Sequence, residues 1–430
     1  MLWRRRDAKE KIAGEAERGE EAHEAGWSCH DPSGGFPRFL ADGREIKGCG
    51  AVGDIALEAF DSPVSVYVHL PFCVRKCPYC PFYSFRASEE EMALYLDALR
   101  AEFALWKDLC GKLPIVNTLY LGGGTPTVLP PHLWERLIGL LDGALDFGPC
   151  LEVTVEANPD SLSPDHLRIF KEWRINRLSV GVQSFDDHEL SWLARSYDRH
   201  QAIEAVERSV SAGFAVSVDL LFGLYGQTLR KWHKSVALTL ALGVSHLSTY
   251  QLTLEPGTPW GSSQPEGLPD GYPFYRWAQW YLEKKGFMQY EIASFSLPGK
   301  WCRHNLAYWH GGNVLGLGAG AWSYLEGLRF GNVNSYSRYM ESIAERALPV
   351  AFWERLDSEK RAREAAVLAL RTRWGISIES FIRKYGLSYT KKILDSMDNF
   401  PEECLVVGRG RIALSKKGRR VANALWADII

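Results

Sequence analysis

Short apolar runs rich in β-branched residues alternate with longer stretches of helical character between residues 63 and 254. Six strands are predicted at 64–70, 116–123, 151–158, 177–184, 215–223 and 246–254. Helices are predicted at 88–108, 130–145, 163–173, 186–194, 199–212 and 228–242. Strands joined by helical crossovers pair in parallel with right-handed connections. The pattern therefore predicts an α/β fold with a partial (β/α)6 barrel.

Polar and glycine-rich pieces follow five of the predicted strands. In chain order these pieces are PFCVRKCPYC, GGGTPT, EANPD, GVQSF and DLLFGL. In barrels of parallel strands, ligands gather at the carboxyl ends of the strands. The shared placement of these pieces predicts a ligand site at that end of the barrel.

The flanking segments differ in composition from the barrel segment. Residues 1–61 are charged and alanine-rich and then dense in turn formers, so we predict a poorly ordered N-terminal extension. The barrel is predicted to occupy residues 62–300, and an aromatic, glycine-rich connecting region residues 301–356. Residues 357–430 contain helices, a β-hairpin with a Gly-Arg-Gly turn and a last helix. That order predicts a small, winged-helix-like α+β domain at the C-terminus.

Composition and charge narrow the classes of function. The chain has 430 residues and a formal net charge of −2, which gives no electrostatic reason to expect nucleic acid or an anionic membrane as partner. The first residues carry no apolar segment after the arginines, and no apolar run reaches the ~18 residues of a membrane span. A cytoplasmic location is expected, with thiols that are free or metal-bound.

Three of the nine cysteines, Cys73, Cys77 and Cys80, are clustered with the spacing C-x3-C-x2-C. A structural zinc site usually takes four ligands in two pairs, and no second Cys/His pair lies nearby. A disulfide uses two thiols. Three thiolates suit a [4Fe–4S] cluster with one iron left open for a ligand. Three semi-buried core cysteines are the alternative.

Several motifs carry a resemblance that covers roughly residues 63–430. They are YVHLPFCVRKCPYC, LYLGGGTPT, VEANPD, NRLSVGVQSF, VDLLFGLYGQT, HLSTYQLTLEPGT, HNLAYW and GLGAGAWS. With them the chain resembles the radical S-adenosylmethionine (SAM) superfamily. Within it, the chain is similar to the branch that contains oxygen-independent coproporphyrinogen III oxidase (HemN) and the heme chaperone HemW.

The resemblance implies a [4Fe–4S] cluster held by the three cysteines and a SAM molecule on its open iron. Tyr67 matches a tyrosine that packs on SAM. Glycine at a strand end allows close approach of the backbone to a ligand. The other positions that match residues around SAM are Gly123, Gly124, Thr125, Glu156, Gln183, Arg195 and Asp219, with Thr253 as a weaker match.

The motif H-N-x-x-Y-W, implied by the resemblance to contact heme, is present as His304, Asn305, Tyr308 and Trp309. A neutral imidazole is a competent axial ligand of heme iron, and aromatic rings stack on porphyrins. A hydrogen-bonded core histidine is the alternative reading of His304. Weaker candidates for heme ligation are Cys302 and His310.

Phe82 distinguishes the two halves of this branch, because the oxidases carry a further cysteine at that position and the chaperones do not. Two other residues depart from the family pattern: Pro81, where the chaperones usually have an acidic residue, and Tyr225, where proline is common.

Two classes of function remain open from the sequence. The first is a heme chaperone that binds heme or another porphyrin and passes heme to client proteins. The second is an enzyme that cleaves SAM to a 5′-deoxyadenosyl radical, either as a coproporphyrinogen III oxidase or as a related radical SAM methyltransferase. In the first class the cluster and SAM serve structural or regulatory roles, and in the second the reduced cluster donates one electron to SAM. A one-electron reductant such as flavodoxin or ferredoxin is expected as a partner. No catalytic residue beside the substrate is identified from the sequence.

Overall fold

A twelve-stranded sheet dominates the computed structural model, which describes residues 60–430. The six predicted strands form its centre in chain order, and all adjacent pairs among them are parallel. Their bounds are β1 Val64–Leu70, β2 Val116–Gly123, β3 Glu152–Ala157, β4 Arg177–Gln183, β5 Ala215–Phe222 and β6 His246–Gln251. The predicted partial barrel is confirmed. The predicted N-terminal extension lies outside the described residues except for positions 60 and 61.

The crossover helices begin and end within two residues of the predicted positions. They are α1 Glu89–Cys110, α2 Pro131–Ala144, α3 Pro164–Glu172, α4 Asp187–Trp192, α5 Arg199–Ser211 and α6 Leu229–Ala241. Capping side chains define where these helices begin. Ser88 accepts a hydrogen bond from the Glu91 amide, and the Glu91 side chain accepts one from the Ser88 amide. Such a capping box satisfies two of the unpaired amides at a helix N-terminus.

The sheet continues on both sides of the barrel strands. The segment after β6 forms α7 Pro259–Ser262, α8 Tyr272–Lys284, β7 Met288–Gln289, β8 Ser294–Ser296 and α9 Arg303–Trp309. It is followed by β9 Val314–Leu317, β10 Trp322–Leu325, β11 Leu328–Asn332, α10 Tyr336–Ala344 and β12 Val350–Arg355. Strand β9 pairs in parallel with β1, and β10 to β12 add antiparallel strands beyond it. Residues 301–356 therefore contribute strands to the barrel sheet, while the predicted domain boundaries stay a prediction.

A buried carboxylate fixes these added strands to the barrel. Glu102 of α1 accepts hydrogen bonds from the Gly318 amide (2.8 Å), the Asn332 side-chain amide (2.8 Å) and the Tyr339 hydroxyl (2.7 Å). Burial raises the pKa of Glu102 to about 7, although the three donors oppose the shift. One side chain thus connects α1 to the β9–β10 turn, to β11 and to α10.

The C-terminal segment has a core of its own, formed by residues between Ala362 and Ile429. Its elements are α11 Ser358–Arg371, β13 Ile376–Ser377, α12 Ile378–Tyr385, α13 Leu387–Ser396, β14 Leu405–Gly408, β15 Arg411–Leu414, α14 Lys416–Arg420 and α15 Ala422–Trp426. The predicted hairpin is β14–β15, and its turn residues Arg409 and Gly410 have φ of 51° and 70°. A two-residue turn with both φ positive matches the twist of a hairpin. The predicted fold class, a barrel with a small C-terminal α+β unit, is confirmed.

None of the helices in residues 60–430 combines the length and the apolar character that crossing a bilayer requires.

Candidate functional site

The cysteine loop, residues 71–87, connects β1 to α1 and is held by backbone hydrogen bonds. The Cys73 amide donates to the Phe85 carbonyl (2.9 Å), and the Phe85 amide donates to the Pro71 carbonyl (2.8 Å). The Thr125 amide, after β2, donates to the Phe72 carbonyl (2.7 Å). The loop is therefore closed on itself and joined to the end of β2.

His69 is a positioning residue that sequence reasoning missed. Its Nε2 lies 2.8 Å from the Tyr83 carbonyl oxygen, which only accepts, so Nε2 carries the proton. Nδ1 then accepts from the Tyr67 hydroxyl at 3.0 Å. Burial lowers the pKa of His69, consistent with this neutral form. A Cβ on Gly123 would lie 2.4 Å from the His69 ring, so glycine there lets β2 end against this histidine.

A cleft of about 480 Å3 opens at the carboxyl ends of the parallel strands. Most of the site residues predicted from the sequence line it: Cys73, Cys77, Cys80, Gly123, Gly124, Thr125, Glu156, Gln183, Arg195, Asp219 and Thr253. Tyr67 lies apart from this lining, inside the barrel, where its ring stacks on Tyr120 with centroids 6.1 Å apart. The fold thus brings together residues that lie up to 180 positions apart in the sequence.

The three thiols face the cleft from one loop. Burial raises the pKa of Cys73 and of Cys80, so both thiols are protonated near neutral pH until a metal displaces the proton. Within residues 60–430, no three His, Cys, Asp or Glu side chains group closely enough to hold a single ion. A [4Fe–4S] cubane requires a different arrangement, because each thiolate binds a different iron and the sulfurs stay apart.

Two buried carboxylates face the same cleft. Glu156 accepts from the Tyr120 hydroxyl (2.8 Å) and the Gly123 amide (3.0 Å). Burial raises the pKa of Glu156 to about 7, and the Asp219 charge adds to the shift. Asp219 accepts from the Ser179 hydroxyl (3.1 Å), and burial raises its pKa too. Neither carboxylate has an ion-pair partner among the described residues, so a cationic ligand in the cleft would stabilise both.

Arg195 is placed beside the central cysteine. Its Nη1 donates to the Cys77 sulfur at 3.5 Å, and its Nη2 to the Gly181 carbonyl at 3.4 Å. Its Nε is buried and has no hydrogen-bond partner in the described part of the chain. Gln183, at the end of β4, has a φ of 64° in the left-handed region, which costs energy for a residue with a Cβ. The cleft thus offers a polar ligand both signs of charge, positive from Arg195 and negative from the two carboxylates. Gln183 adds an amide group.

Asn158 also lines the cleft, and its side-chain amide donates to the Thr125 hydroxyl at 2.9 Å. The VEANPD motif contained this residue, but its spacing gave no signal that distinguished Asn158 from a turn former.

Helix α9, which carries the HNLAYW motif, closes the opposite end of the barrel. Glu152, the first residue of β3, accepts hydrogen bonds from the Arg303 and His304 amides, both at 2.9 Å. Arg177 of β4 lies 4.0 Å from the same carboxylate. Because Glu152 and Glu156 are four residues apart on one strand, α9 starts about 13 Å from the cleft along β3.

His304 is buried inside the barrel, with 1% of its surface exposed. Its Nδ1 lies 2.9 Å from the Thr118 hydroxyl, which itself donates to the Ser65 hydroxyl. The Thr118 hydroxyl donates its single hydrogen to Ser65, so toward His304 it can only accept a hydrogen bond. The imidazole hydrogen of His304 is therefore on Nδ1. Nε2 then holds a lone pair with no partner among residues 60–430. Burial lowers the pKa of His304 to about 3, so the ring is neutral.

The α9 groove is a mainly apolar depression of about 170 Å3 between α9, the β10–β11 hairpin and α11. Its lining residues are Tyr308, Trp309, Gly311, Gly312, Trp322, Ser323, Tyr324, Arg329, Arg361, Glu364, Ala365 and Leu368. Two of them, Tyr308 and Trp309, belong to the HNLAYW motif. The histidine of the motif thus lies inside the barrel, whereas Tyr308 and Trp309 line the groove, with the Tyr308 ring 5.4 Å from the His304 ring.

The two weaker candidates for heme ligation differ in accessibility. Cys302 is buried, and burial raises the pKa of its thiol to about 12. His310 is exposed at the end of α9, with its ring 6.3 Å from that of Trp374.

Comparison with known proteins identifies the class first. Residues 67–239, from β1 to α6, match the Radical SAM superfamily. Coproporphyrinogen III oxidase (HemN) from Escherichia coli has a similar fold, with a TM-score of 0.76 over 87% of this chain and 92% of that protein, at 21% identity. The radical SAM class implies a [4Fe–4S] cluster and SAM as cofactors, and the donor set of the cleft fits both.

Relatives in sequence then identify the family. The heme chaperone HemW of Bacillus subtilis is 34% identical over 375 residues, which cover 85% of this chain and 99% of that protein. The heme chaperone HemW of Lactococcus lactis is 32% identical, with 86% and 97% covered. The chain belongs to the HemW family of radical SAM proteins.

Proposed function

We propose that this protein binds heme and transfers it to client proteins, in the manner that the names of its relatives describe. The observation that carries the proposal is the α9 groove, in which Tyr308 and Trp309 of the heme-contact motif join Trp322 in an apolar wall open to solvent. Aromatic side chains provide large apolar faces for a flat ligand. Phe82, at the position where the oxidase branch has a cysteine, agrees with a chaperone.

Cys73, Cys77 and Cys80 are proposed to hold the cluster, since they line one cleft and the loop that carries them is fixed at both ends. SAM, when bound, supplies a ligand for the open iron and the source of radical chemistry. Glu156, Asp219, Gln183 and Arg195 are proposed to position its charged and polar groups, with the glycine turn at 123–125 supplying backbone contacts.

The proposed one-electron reductant, of the flavodoxin or ferredoxin type, would approach the cysteine loop. Arg75, Lys76 and Arg86 are exposed there, and residues 71–88 contain no Asp or Glu. None of the three cations makes an ion pair with a described residue. A cationic surface beside a cluster favours an acidic electron carrier as partner.

Heme titration of the full-length protein tests the proposed function. We expect a Soret band that saturates at a stoichiometric amount of heme, and transfer of that heme to an apo-protein added afterwards. The matched assay is anaerobic incubation with SAM, dithionite and coproporphyrinogen III. Conversion to protoporphyrinogen IX by a protein that takes up no heme would reject the chaperone and support the oxidase.

Binding of SAM is expected to tighten as pH rises through about 7, where Glu156 loses its proton. The sign follows because the ionised carboxylate attracts a cationic ligand and the neutral acid does not. Glu156→Gln should flatten this dependence and weaken binding at pH 8 by roughly tenfold, the value of one charge-assisted hydrogen bond. Isothermal titration between about pH 6 and pH 8 measures both effects, with the exposed Glu172→Gln as control. A variant profile as steep as the wild-type profile would contradict the role of Glu156.

A further inference from the structure

The α9 groove has the shape and chemistry of a site for one edge of a flat macrocycle. Trp322 is 51% exposed, and its ring lies 5.8 Å from that of Phe352, which is 48% exposed. On β11, Gly331 has no side chain, and a Cβ there would lie 3.0 Å from the Trp322 indole. Trp322 therefore lies flat across the sheet and extends the apolar wall beyond the groove. Clustered exposed aromatic residues of this kind mark binding surfaces.

Among the described residues that line the groove, two can bind heme iron. Known axial ligands of heme are His, Cys, Met and Tyr side chains. The lining contains no His, Cys or Met, but it contains Tyr308 and Tyr324. His304 is not among the lining residues. Its ring packs between Thr118 and Tyr120 inside the barrel, and the Tyr308 ring lies 5.4 Å from it.

The two tyrosines differ in their neighbours. Burial raises the pKa of Tyr324, and the charge of Arg361, which lines the same groove, opposes the shift. Burial also raises the pKa of Tyr308, and no cation of residues 60–430 opposes that shift. A cation beside the phenol favours the deprotonated form that binds ferric iron. Geometry separates the two tyrosines as well: Tyr324 and Arg361 line the same groove, whereas the Tyr308 ring lies 5.4 Å from the buried, neutral His304 ring. A phenolate on Tyr324 would therefore have a cation in the same groove to stabilise it.

Arg361 is itself held in place. A Cβ on Gly327 would lie 2.5 Å from the Arg361 Nε, so glycine at this turn leaves room for the arginine side chain. Arg361 Nη2 lies 3.8 Å from the Glu326 carboxylate, and its Nε is buried without a partner in the described residues. Arg361 therefore lines the same groove as Tyr324, and its Nε hydrogen is available as a hydrogen-bond donor.

We propose that ferric heme binds edge-on in the α9 groove with Tyr324 as its axial ligand, Trp309 and Trp322 against the macrocycle, and Arg361 stabilising the phenolate. The assignment rests on the proposed heme binding and names the site for it. On binding, the Tyr324 hydroxyl releases its proton to solvent, the phenolate oxygen forms a bond to iron, and a water leaves the metal. No electron is transferred.

The small volume of the groove is consistent with a heme that is released again to a client protein. A volume of about 170 Å3 takes only part of a porphyrin, so the rest of the macrocycle stays at the surface. Most small-molecule sites that retain their ligand enclose a much larger share of it. A client protein could then contact the exposed edge before the Tyr324–iron bond breaks.

The test is titration of the full-length wild-type, Tyr324→Phe and Tyr272→Phe proteins with ferric heme, followed by absorbance and electron paramagnetic resonance. Tyr272 is the control, because it is 45% exposed and lies outside the groove lining. We expect a high-spin ferric spectrum with a phenolate-to-iron charge-transfer band for the wild type and for Tyr272→Phe. In Tyr324→Phe that band should disappear and the Kd should rise at least roughly tenfold. Arg361→Met should weaken the band while leaving it detectable.

Unchanged thermal unfolding of each variant shows that the fold is intact, since Tyr→Phe removes one oxygen atom. If Tyr324→Phe keeps the wild-type spectrum while His304→Gln changes it, Tyr324 is not the ligand and the proposed site is wrong. That result would leave the proposed heme binding standing. If the wild-type protein takes up no heme, the proposed function itself fails, so the two failures are distinguishable.

Discussion

Iron and sulfide content is expected to fall from about four of each per chain to nearly none when Cys77 is replaced by alanine. Cys77 is the central thiol of the cysteine loop and is 9% exposed. Its sulfur lies 3.5 Å from the Arg195 guanidinium, so the site offers the thiolate a fixed positive partner. In this variant two cysteine thiolates remain, so two of the four irons lack a protein ligand and the cluster is not held.

The measurement is anaerobic reconstitution followed by iron and sulfide analysis and the absorbance of the cluster. Cys150→Ala is the matched control, because Cys150 is a half-buried thiol whose sulfur donates to the Glu152 carbonyl at 3.6 Å, away from the cleft. We expect this control to bind a full cluster. Undiminished iron and sulfide in Cys77→Ala would show that the cysteine loop does not hold the metal.

Replacement of Glu152 by alanine is expected to lower the free energy of unfolding by about 3–5 kcal/mol, the usual cost of breaking a buried ion pair. Glu152 is 6% exposed and Arg177 is 5% exposed, so the variant leaves the guanidinium buried without its counter-charge. It also leaves the Arg303 and His304 amides at the start of α9 without an acceptor. We therefore expect weaker heme binding in the same variant, because α9 supplies one wall of the groove.

Urea denaturation followed by tryptophan fluorescence measures the loss of stability. Glu152→Gln should lose less than Glu152→Ala, since the amide oxygen still accepts one hydrogen bond. The control is Glu204→Ala, which removes an exposed pair with Arg208 (3.1 Å) and should cost no more than about 1 kcal/mol. Equal losses for Glu152→Ala and Glu204→Ala would mean that the carboxylate does not anchor α9.

The contents of the cleft could be predicted because their signals are local. The cysteine spacing lies within eight residues, and each strand-end piece is marked by its own glycine or polar residues. Parallel strands bring their carboxyl ends to one edge of the sheet. Glu156 and Asp219 could therefore be predicted to lie in the same site from their positions near strand ends alone. His69 was not predicted as a site residue. Its hydrogen-bond partner is the Tyr83 backbone carbonyl, and a sequence motif gives no signal for a backbone partner.

The α9 groove could not be predicted, because its walls come from distant parts of the chain. Trp309, Trp322 and Arg361 belong to α9, β10 and α11, and only packing brings these elements together. The same holds for β9, which pairs with β1 across some 250 residues. The HNLAYW motif indicated heme but not which of its side chains faces outward.

The sequence by itself determined the parallel α/β barrel, the three-thiol loop and the set of polar strand ends, because periodicity and short spacings are properties of neighbouring residues. The tertiary structure alone decided that Glu152 holds α9, that His304 lies inside the barrel and that Tyr324 meets Arg361 in an open groove. These outcomes depend on which surfaces pack against each other, and burial and charge act through space, not along the chain.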